Sequence, residues 1–376
     1  MRICHVTPHL PPDQAANALL PVHLGRWAKE AGHEVVYVAH PPVNGEPIGS
    51  SLPGPVVAVP RRSRGSAIVR KAQSLIDARR ISRAASSVLE GVDVVHVHSN
   101  GLLSETCAVL AARRGKPVVM TLYGTEIWHY RPKRTIDLFT RAYRAASAVI
   151  FYSHALLARA RELGLDHPRA TAIYPPVAGE FRAAAEETRR RVRRDLGVNG
   201  SPLVINVKRL HPLGGHVCLV EAMATIARVV PEVRLIVCGT GSLRDELEAR
   251  TRELHLERTI RFAGLVDNVV VATYDAASDV FVLPSLLEAC PTVALEALAC
   301  GTPVVSSDNP GGVELHGLFG DDVAVVPREN PEALAAAVID ALGARRRVSP
   351  DTTRRIEQEF RIDAVASRYL ETYRQS

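Results

Sequence analysis

The chain lacks several features that characterise other classes of protein. None of its six cysteines stands in a C-x-x-C pair, and several lie within apolar runs. Such cysteines behave as small buried hydrophobes, which favours a reducing compartment, the cytoplasm, over a disulfide framework. Aromatic residues make up only 5% of the chain and do not alternate with basic residues as in a nucleic-acid stacking platform. We therefore expect no nucleic-acid partner, although the formal net charge is +6.

Long apolar segments are also missing. After Met1 and Arg2 the first apolar run spans only about five residues, whereas a secretory signal needs seven or more. No segment approaches the roughly 20 apolar residues of a membrane-spanning helix. The segment from Arg61 to Arg83 is basic and somewhat amphipathic, which leaves a peripheral membrane protein as an alternative. Because it has no Trp or Phe anchor, we favour a solvated basic face and expect no membrane association.

Short apolar runs alternate with helical patterns along the whole chain. RICHV, a helix and HEVVYVAH form a β-α-β unit at the start, which predicts a parallel sheet. The alternation pauses at an arginine-rich helix after residue 178 and restarts at PLVINV. We therefore predict an α/β protein of two Rossmann-like domains, 1–178 and 179–352, followed by a C-terminal helical segment, 353–376. Ligands of such sheets bind beyond the carboxyl ends of the strands, so we expect the site in a cleft between the domains.

The stretch from Pro284 to Val305 carries the strongest functional signal. It follows the apolar run DVFVL and reads as a loop, a helix ended by Gly301 and a turn into the next strand. The backbone N–H groups that open this helix would attract an anion. Glu288 in the loop and Glu296 in the helix add carboxylates, which accept hydrogen bonds from sugar and ribose hydroxyls. The predicted donor-binding residues at the start of this helix are Cys290, Pro291, Thr292 and Val293, and those other than proline can offer a backbone N–H to the diphosphate.

This stretch resembles the signature of glycosyltransferase family 4, two glutamates separated by seven residues. The resemblance implies the GT-B fold, with the final helix returning to the N-terminal domain. It also implies that Glu288 contacts hydroxyls of a donor sugar and that Glu296 holds the ribose. Members are retaining enzymes that use a nucleotide sugar as co-substrate. No nucleophile is evident where the sugar would lie, and the resemblance implies a front-face reaction. Such a reaction depends on charge stabilisation of the leaving diphosphate.

A second part of the family pattern lies at the end of the run LVINV. The family has Gly-Arg-Leu here, followed by a Lys before a Gly. This chain keeps Arg209 and Leu210, but Lys208 replaces the first Gly and Gly214 occupies the place of the Lys. Cations at this position would neutralise the diphosphate, and arginine can bind it bidentately. Either Lys208 partly supplies the missing charge or Arg209 acts alone. No residue cluster has metal-ligand spacing and no D-x-D motif ends a strand, so we expect no metal and no other cofactor.

The resemblance extends to three weaker segments. The turn CGTGS contains Gly239 and Gly241, which in the family lie near the nucleotide; a plain tight turn is the alternative. Leu265 follows TIRFAG and corresponds to the family segment beside the base. His98 ends DVVHVHS, where the family has a histidine near the transferred sugar, although such a histidine is also common as a hydrogen-bonded core residue. Tyr123 occupies the place of a family histidine.

The loop after the first strand, PHLPPDQAAN, lacks the glycines that approach the donor in many members. It offers Asp13, Gln14 and Asn17, and Glu126 follows another strand end. Acidic side chains suit a cationic acceptor, although Asp13 is equally suited to cap the next helix.

The same loop is similar to those of aminoglycoside-biosynthesis glycosyltransferases. That similarity implies transfer of N-acetylglucosamine or glucose from a UDP donor to a small acceptor, an aminocyclitol such as 2-deoxystreptamine. A lipid or polysaccharide acceptor, or an epimerase or phosphorylase reaction on this architecture, stays open. For a phosphorylase we find no cofactor lysine site.

Overall fold

The computed structural model describes residues 1–13, 16–42, 52–61, 67–132 and 137–376, with the backbone alone for 67–73. The chain forms two compact units. Met1–Pro175 and Ile362–Ser376 make up the first, and Pro176–Arg361 makes up the second. The chain therefore leaves the first unit once and returns to it at its C-terminal end.

The first unit is built on a parallel sheet, as the opening β-α-β pattern predicts. Its strands are β1 Arg2–Thr7, β2 Glu34–Ala39, β3 Val56–Ala58, β4 Val94–His98, β5 Val118–Leu122, β6 Ala148–Phe151 and β7 Ala170–Ala172. They are arranged in the order β3-β2-β1-β4-β5-β6-β7. Its helices within the first part of the chain are α1 Ala16–Glu30, α2 Ala67–Glu90, α3 Leu102–Arg113, α4 Thr125–Trp128, α5 Leu138–Ala145 and α6 His154–Glu162. The strand order reverses at β1 and β4, so the ends of these strands form the natural ligand crevice of this unit.

The second unit repeats this plan with a six-stranded parallel sheet. Its strands are β8 Leu203–Val207, β9 Arg234–Cys238, β10 Ile260–Gly264, β11 Val280–Leu283, β12 Val304–Ser307 and β13 Val323–Val326. The order β10-β9-β8-β11-β12-β13 places the switch point between β8 and β11. Its helices are α7 Glu186–Asp195, α8 His216–Val229, α9 Arg244–Glu253, α10 Asn268–Ala277, α11 Thr292–Ala299, α12 Pro310–Phe319, α13 Pro331–Ala344 and α14 Pro350–Arg355. Both faces of the sheet are covered, which explains why β11 is a continuous apolar run.

The arginine-rich helix α7 belongs to the second unit, where charge pairing attaches it to the sheet. Arg189 and Arg193 both contact the carboxylate of Asp279, immediately before β11. The same carboxylate accepts a hydrogen bond from the backbone N–H of Leu203, at 2.8 Å. Asp279 thus ties α7 and the first residues of two neighbouring strands together.

The last part of the chain differs from the expected single helical segment over 353–376. A π-helical turn, Ile356–Phe360, follows α14, and the extended residue Arg361 pairs with Val177 before α15, Ile362–Gln375, begins. This break changes the helical phase. In α15, Ala364 is only partly buried, whereas Val365, Ala366, Tyr369, Leu370 and Tyr373 are buried. Helix α15 packs against α1 within the first unit. None of the helices that the structure describes combines the length and the apolar character needed to cross a membrane.

Candidate active site

The loop between β11 and α11 is held from both sides by backbone contacts. The N–H of Leu286 donates to the carbonyl of Leu213 at 2.9 Å, and the N–H of Gly311 donates to the carbonyl of Glu288 at 3.1 Å. The side-chain amide of Asn309, which caps α12, donates to the carbonyl of Ser285 at 2.9 Å. The backbone that carries Glu288 is therefore fixed without help from a ligand.

Glu288 pairs with Lys208 at the carboxyl end of the second sheet. The Lys208 ammonium donates to Oε1 of Glu288, and the two side chains are only 22% and 11% exposed. Lys208 follows β8 and Glu288 follows β11, so the pair lies at the switch point of this sheet. Gly214 is buried in a short 3-10 turn and carries no charge, so Lys208 is the lysine that reaches this loop.

Arg209 is exposed, in contrast to its neighbour Lys208. Among the residues that the structure describes, no carboxylate forms an ion pair with its guanidinium. An exposed arginine without a protein partner at the switch point is well suited to bind a diphosphate.

Glu296 lies in the second turn of α11 and is partly buried. Burial, and then the negative charge of Glu180, raises the pKa of its carboxyl group to about 8. Asp275 on α10 is fully buried, and neither of its carboxylate oxygens has a hydrogen-bond partner among the described residues. Burial, and then Glu296, raises the pKa of Asp275 well above its ordinary value. Both groups therefore favour the protonated form.

Our reading of the sequence did not identify Asp275. The signal was present, because Asp275 lies three and four residues after Ala272 and Val271, both buried on α10. A carboxylate on the inward face of a predicted helix indicates either a buried acid or an error in the predicted orientation of the helix.

Gly239 and Gly241 form the turn after β9 and approach the segment that follows β8. Their φ angles are 146° and 158°. A Cβ atom on Gly239 would lie 2.0 Å from the Lys208 carbonyl oxygen, and one on Gly241 would lie 2.1 Å from that of Leu210. Only glycine permits this approach, so the turn helps to fix the backbone of Lys208 and Leu210.

The remaining donor-side candidates differ in exposure. Pro291 is buried, whereas Cys290, Thr292 and Val293 are partly buried, and Leu265 after β10 is 67% exposed. Burial, Glu314 and Glu288 together raise the pKa of the Cys290 thiol well above its ordinary value. The structure thus brings the predicted donor residues to the carboxyl ends of β8, β9, β10 and β11, on one edge of one sheet.

In the first unit His98 is fully buried. Its Nε2 lies 2.9 Å from Nδ1 of His5, and its Nδ1 lies 2.7 Å from the hydroxyl of Tyr123. Nitrogen atoms of His5, His96 and His98 lie within 4.8 Å of one another, a grouping that could hold a metal ion. Because both ring nitrogens of His96 and of His98 have hydrogen-bond partners, we interpret the group as a hydrogen-bond network.

Glu126 is 4% exposed, and its carboxylate accepts hydrogen bonds from the protein itself. It accepts hydrogen bonds from the hydroxyl of Ser99 and from the backbone N–H groups of Tyr123 and Gly124. These contacts explain why an acid follows this strand, and they leave little capacity for an acceptor amine.

Asp13 pairs with His9, with 2.8 Å between Oδ2 and Nδ1. Asn17 at the start of α1 has a buried side-chain oxygen without a partner among the described residues. Gln14, the third candidate in this loop, lies outside the described residues. Within the described residues, the side-chain contact of Asp13 is with His9 and not with the start of α1.

Two family profiles match the chain. The profile described as "Glycosyl transferases group 1" matches residues 188–358, and "Glycosyltransferase Family 4" matches residues 22–180. One profile therefore falls within the second unit, and the other corresponds to most of the first part of the chain.

Curated relatives match over part of their length. TuaC of Bacillus subtilis, named for teichuronic acid biosynthesis, is 31% identical over 68% of this chain and 64% of its own. The 2-deoxystreptamine N-acetyl-D-glucosaminyltransferase of Niallia circulans is 23% identical over 59% of this chain and 60% of its own. The 2-deoxystreptamine glucosyltransferase of Streptomyces kanamyceticus is 28% identical over 57% of this chain and 59% of its own. The chain thus spans about three fifths of the length of these relatives.

Solved structures share the fold over the full length. HepE of Anabaena, in complex with UDP and glucose, has a TM-score of 0.79 at 19% identity, with 100% of both chains covered. Sucrose-phosphate synthase of Thermosynechococcus elongatus has a TM-score of 0.77 at 20% identity and covers 100% of this chain and 98% of its own. The two profiles, which together match residues 22–180 and 188–358, show that the chain belongs to the family 4 glycosyltransferases, and the solved structures show that it has the GT-B fold.

Proposed function

We propose that this protein is a retaining glycosyltransferase that moves a hexose or N-acetylhexosamine from a nucleotide sugar to a hydroxyl of a small acceptor. The observation that carries the proposal is the Lys208–Glu288 pair at the β8–β11 switch point. A partly buried cation and carboxylate meet there beside the N-terminus of α11 and an exposed arginine. A sugar linked to a diphosphate needs such a combination of groups.

Each donor-side residue has a role that its position supports. Arg209 binds the diphosphate, and Lys208 contributes a second cation in place of the lysine missing at position 214. Glu288 accepts hydrogen bonds from hydroxyls of the transferred sugar, and Glu296 accepts those of the ribose. The first turn of α11, from Thr292, offers backbone N–H groups to the phosphate.

In the reaction, the bond from the sugar C1 to the β-phosphate oxygen breaks and the acceptor oxygen bonds to C1 on the same face. The acceptor proton passes to the departing phosphate oxygen. Lys208 and Arg209 stabilise the charge that accumulates on that diphosphate in the transition state. This mechanism requires no covalent enzyme intermediate and no metal ion, and we propose neither.

A UDP donor carrying N-acetylglucosamine or glucose is favoured by two relatives. Their names describe transfer of N-acetylglucosamine and of glucose with 2-deoxystreptamine. The HepE structure was solved with UDP and glucose. We propose the same donors here, with Leu265 beside the base.

The proposed acceptor is an aminocyclitol, with Asp13 as the partner of an ammonium group. Asp13 is partly buried and currently contacts His9, so an acceptor amine would compete for or extend that contact. Asp13→Asn should raise the acceptor KM and leave UDP binding unchanged. A deaminated cyclitol that is glycosylated as well as the amine would contradict this assignment.

The decisive experiment is a panel of nucleotide sugars with release of the nucleoside diphosphate as the readout. Transfer requires release that depends on the acceptor. An epimerase would instead convert one sugar nucleotide to another without release. If no nucleotide sugar gives acceptor-dependent release of its nucleoside diphosphate with any cyclitol, the proposal fails.

One observation favours a second candidate, a peripheral membrane enzyme with a lipid acceptor. On the basic helix α2, Leu75 is 62% and Ile76 is 53% exposed. Apolar residues beside arginines suit the interface of an anionic membrane. Flotation with liposomes containing anionic lipid tests it: co-flotation that is lost in Leu75→Ser and Ile76→Ser would support a lipid acceptor.

A further inference from the structure

The register of the first sheet places three histidines on one face. His5 on β1 lies opposite His96 on β4, and His98 follows two residues later on the same face. Tyr37 on β2 lies opposite His5 on the other side, with its ring stacked 5.6 Å from that of His5. All four side chains are buried, so the interior of this unit contains a polar layer.

A single hydrogen-bond chain runs through this layer. His5 contacts His98 at 2.9 Å, and His98 contacts Tyr123 at 2.7 Å. Tyr123 in turn forms a hydrogen bond with Tyr152, whose ring is 4.4 Å away. His96 is not part of the chain, because its two nitrogens are bound by Tyr373 and Thr121, each at 2.7 Å.

The direction of this chain follows from the environment of His5. Burial lowers the pKa of His5 to about 3, so its ring is neutral and carries one proton. Nε2 of His5 has no partner among the described residues, and the small cavity beside His5 is lined mainly by apolar residues, including Leu24, Ala28 and Leu370. Tyr369 and Tyr373 also line it, but their hydroxyls already bond to Thr121 and His96. A buried N–H without an acceptor is less tolerable than a bare lone pair, and a water there would lack its usual two to four partners.

His5 therefore carries its proton on Nδ1 and donates to Nε2 of His98. His98 must then carry its own proton on Nδ1, which donates to the oxygen of Tyr123. The hydroxyl proton of Tyr123 is thereby directed towards Tyr152. Each step leaves a single orientation for the next group.

Of the four members of this chain, only Tyr123 is partly exposed. His5 and His98 are 0% and Tyr152 is 4% exposed. Tyr123 immediately follows β5, at the same edge of the sheet as the end of β4. It is therefore the member that can meet a ligand, whereas His98 has both nitrogens occupied within the protein.

We propose that His5 is a positioning residue: through His98 it fixes the hydroxyl of Tyr123 for contact with the acceptor. This proposal rests on the proposed transfer reaction for its ligand, but its geometry is independent of it. It also reassigns His98 from direct contact with the sugar to an intermediate in the chain. Because its own proton is directed towards Tyr152, the Tyr123 oxygen is then a fixed, neutral group that accepts a hydrogen bond from the substrate hydroxyl.

A pair of matched substitutions tests the role of His5. The amide nitrogen of Asn lies near the position of the imidazole Nδ1, and that of Gln lies near Nε2. His5→Asn should therefore keep the bond to His98, and its acceptor KM should stay within about threefold of wild type. His5→Gln should lose the bond and raise the acceptor KM about tenfold, as Tyr123→Phe should. UDP affinity, which depends on the second unit, should not change in any of them.

Non-additivity separates positioning from a merely structural role. If His5 acts through Tyr123, the double variant His5→Gln/Tyr123→Phe should be no worse than Tyr123→Phe alone in acceptor KM. Additive losses would overturn the proposal, as would equal effects of His5→Asn and His5→Gln. If both His5 variants fold poorly, His98→Gln and His98→Asn provide the same comparison. Each of these two variants keeps the hydrogen bond at one end of the His98 side chain.

The tautomers provide a direct readout on the wild-type protein. In ¹⁵N-histidine spectra at neutral pH, the resonances assigned to His5 and His98 should both show the Nδ1–H form. An Nε2–H form for either ring would refute the direction of the chain. This result does not depend on activity, so failure of the transfer reaction with every nucleotide sugar would reject the proposed function without deciding the geometry.

Discussion

Replacing Glu296 with Gln should show, as two separate measurements, how this carboxyl group affects the free energy of unfolding and how it affects ligand binding. The folded protein holds the Glu296 proton up to pH 8, whereas the ordinary value is 4.5. The unfolded chain therefore releases this proton first, and the folded state loses stability as pH rises from 4.5 to 8. Over that interval of about 3.5 pH units, at 1.36 kcal/mol each, the loss reaches at most about 5 kcal/mol. Gln keeps the shape but has no proton to release, so the variant escapes this loss.

Between pH 5.5 and 8.5 the stability advantage of Glu296→Gln should grow by about 3 kcal/mol. Urea unfolding followed by far-UV circular dichroism measures it. Trp27 and Trp128 both lie in the first unit, so tryptophan fluorescence provides an internal control that should change little. Above pH 8, where Glu296 is ionised, the same substitution should weaken UDP binding, because a charged hydrogen-bond acceptor contributes about 1.5–3 kcal/mol.

Two outcomes would contradict this reasoning. A stability advantage that does not depend on pH would show that the carboxyl group is solvated and not held protonated. A variant that is stabilised as expected yet binds UDP like the wild type would remove Glu296 from the ribose site.

Four further predictions follow from the same geometry. Arg209→Ala should weaken UDP binding in calorimetric titration more than Lys208→Ala, because Lys208 is already paired with a protein carboxylate; equal, negligible effects would leave the diphosphate to backbone amides. Glu288→Gln should reduce turnover strongly, by about 1.5–3 kcal/mol in activation free energy, with the circular dichroism spectrum unchanged, and near wild-type turnover would contradict its role. Gly241→Ala should lower both stability and UDP affinity, since the new Cβ meets a backbone carbonyl; an unchanged melting temperature would be inconsistent with the observed approach. Tryptophan-monitored stability should fall as pH drops below 6.5, because burial lowers the pKa of His5 to about 3 and the pKa values of His96 and His98 well below 6.5, so the unfolded chain takes up these protons first; His5→Asn should reduce that dependence, and an unchanged dependence would contradict the burial of His5 as its cause.

The candidate donor site could be proposed from the sequence because its parts are local. A strand end, a loop and the first turns of one helix lie within a single run of the chain, and the family resemblance of that run relates Glu288 to Glu296. The parallel sheets could also be anticipated, since apolar runs that alternate with helices lead to parallel pairing.

The His5 chain could not be anticipated in the same way, because its members come from separate strands. RICHV reads as an apolar strand whatever the direction of its histidine. Only the register of β1 against β4 shows that His5 shares a face with His98. A single sequence contains the alternation within a strand but not the pairing between strands.

The break at Arg361 shows a similar limit at the end of the chain. The apolar pattern around it is compatible with one long helix, and neither glycine nor proline interrupts it. What ends the helix is tertiary: the guanidinium of Arg361 donates to the carbonyls of Ala178 and Phe181, while its backbone pairs with Val177. The segment thus closes the second unit before α15 joins the first.

The acidic residues of the first unit show why charge alone is a weak guide to an acceptor. Glu126 and Asp13 were grouped by sequence as candidates for an amine, but each already has partners within the protein. Glu126 is saturated by a hydroxyl and two backbone N–H groups, so its charge is used to shape the Tyr123 loop. Within the described residues, the carboxylate of Asp13 contacts His9, and a ligand could replace that histidine. In the proposed reaction, selection for an amine would therefore depend on Asp13, whereas recognition of the reacting hydroxyl would fall to Tyr123, which Glu126 and His98 hold in place.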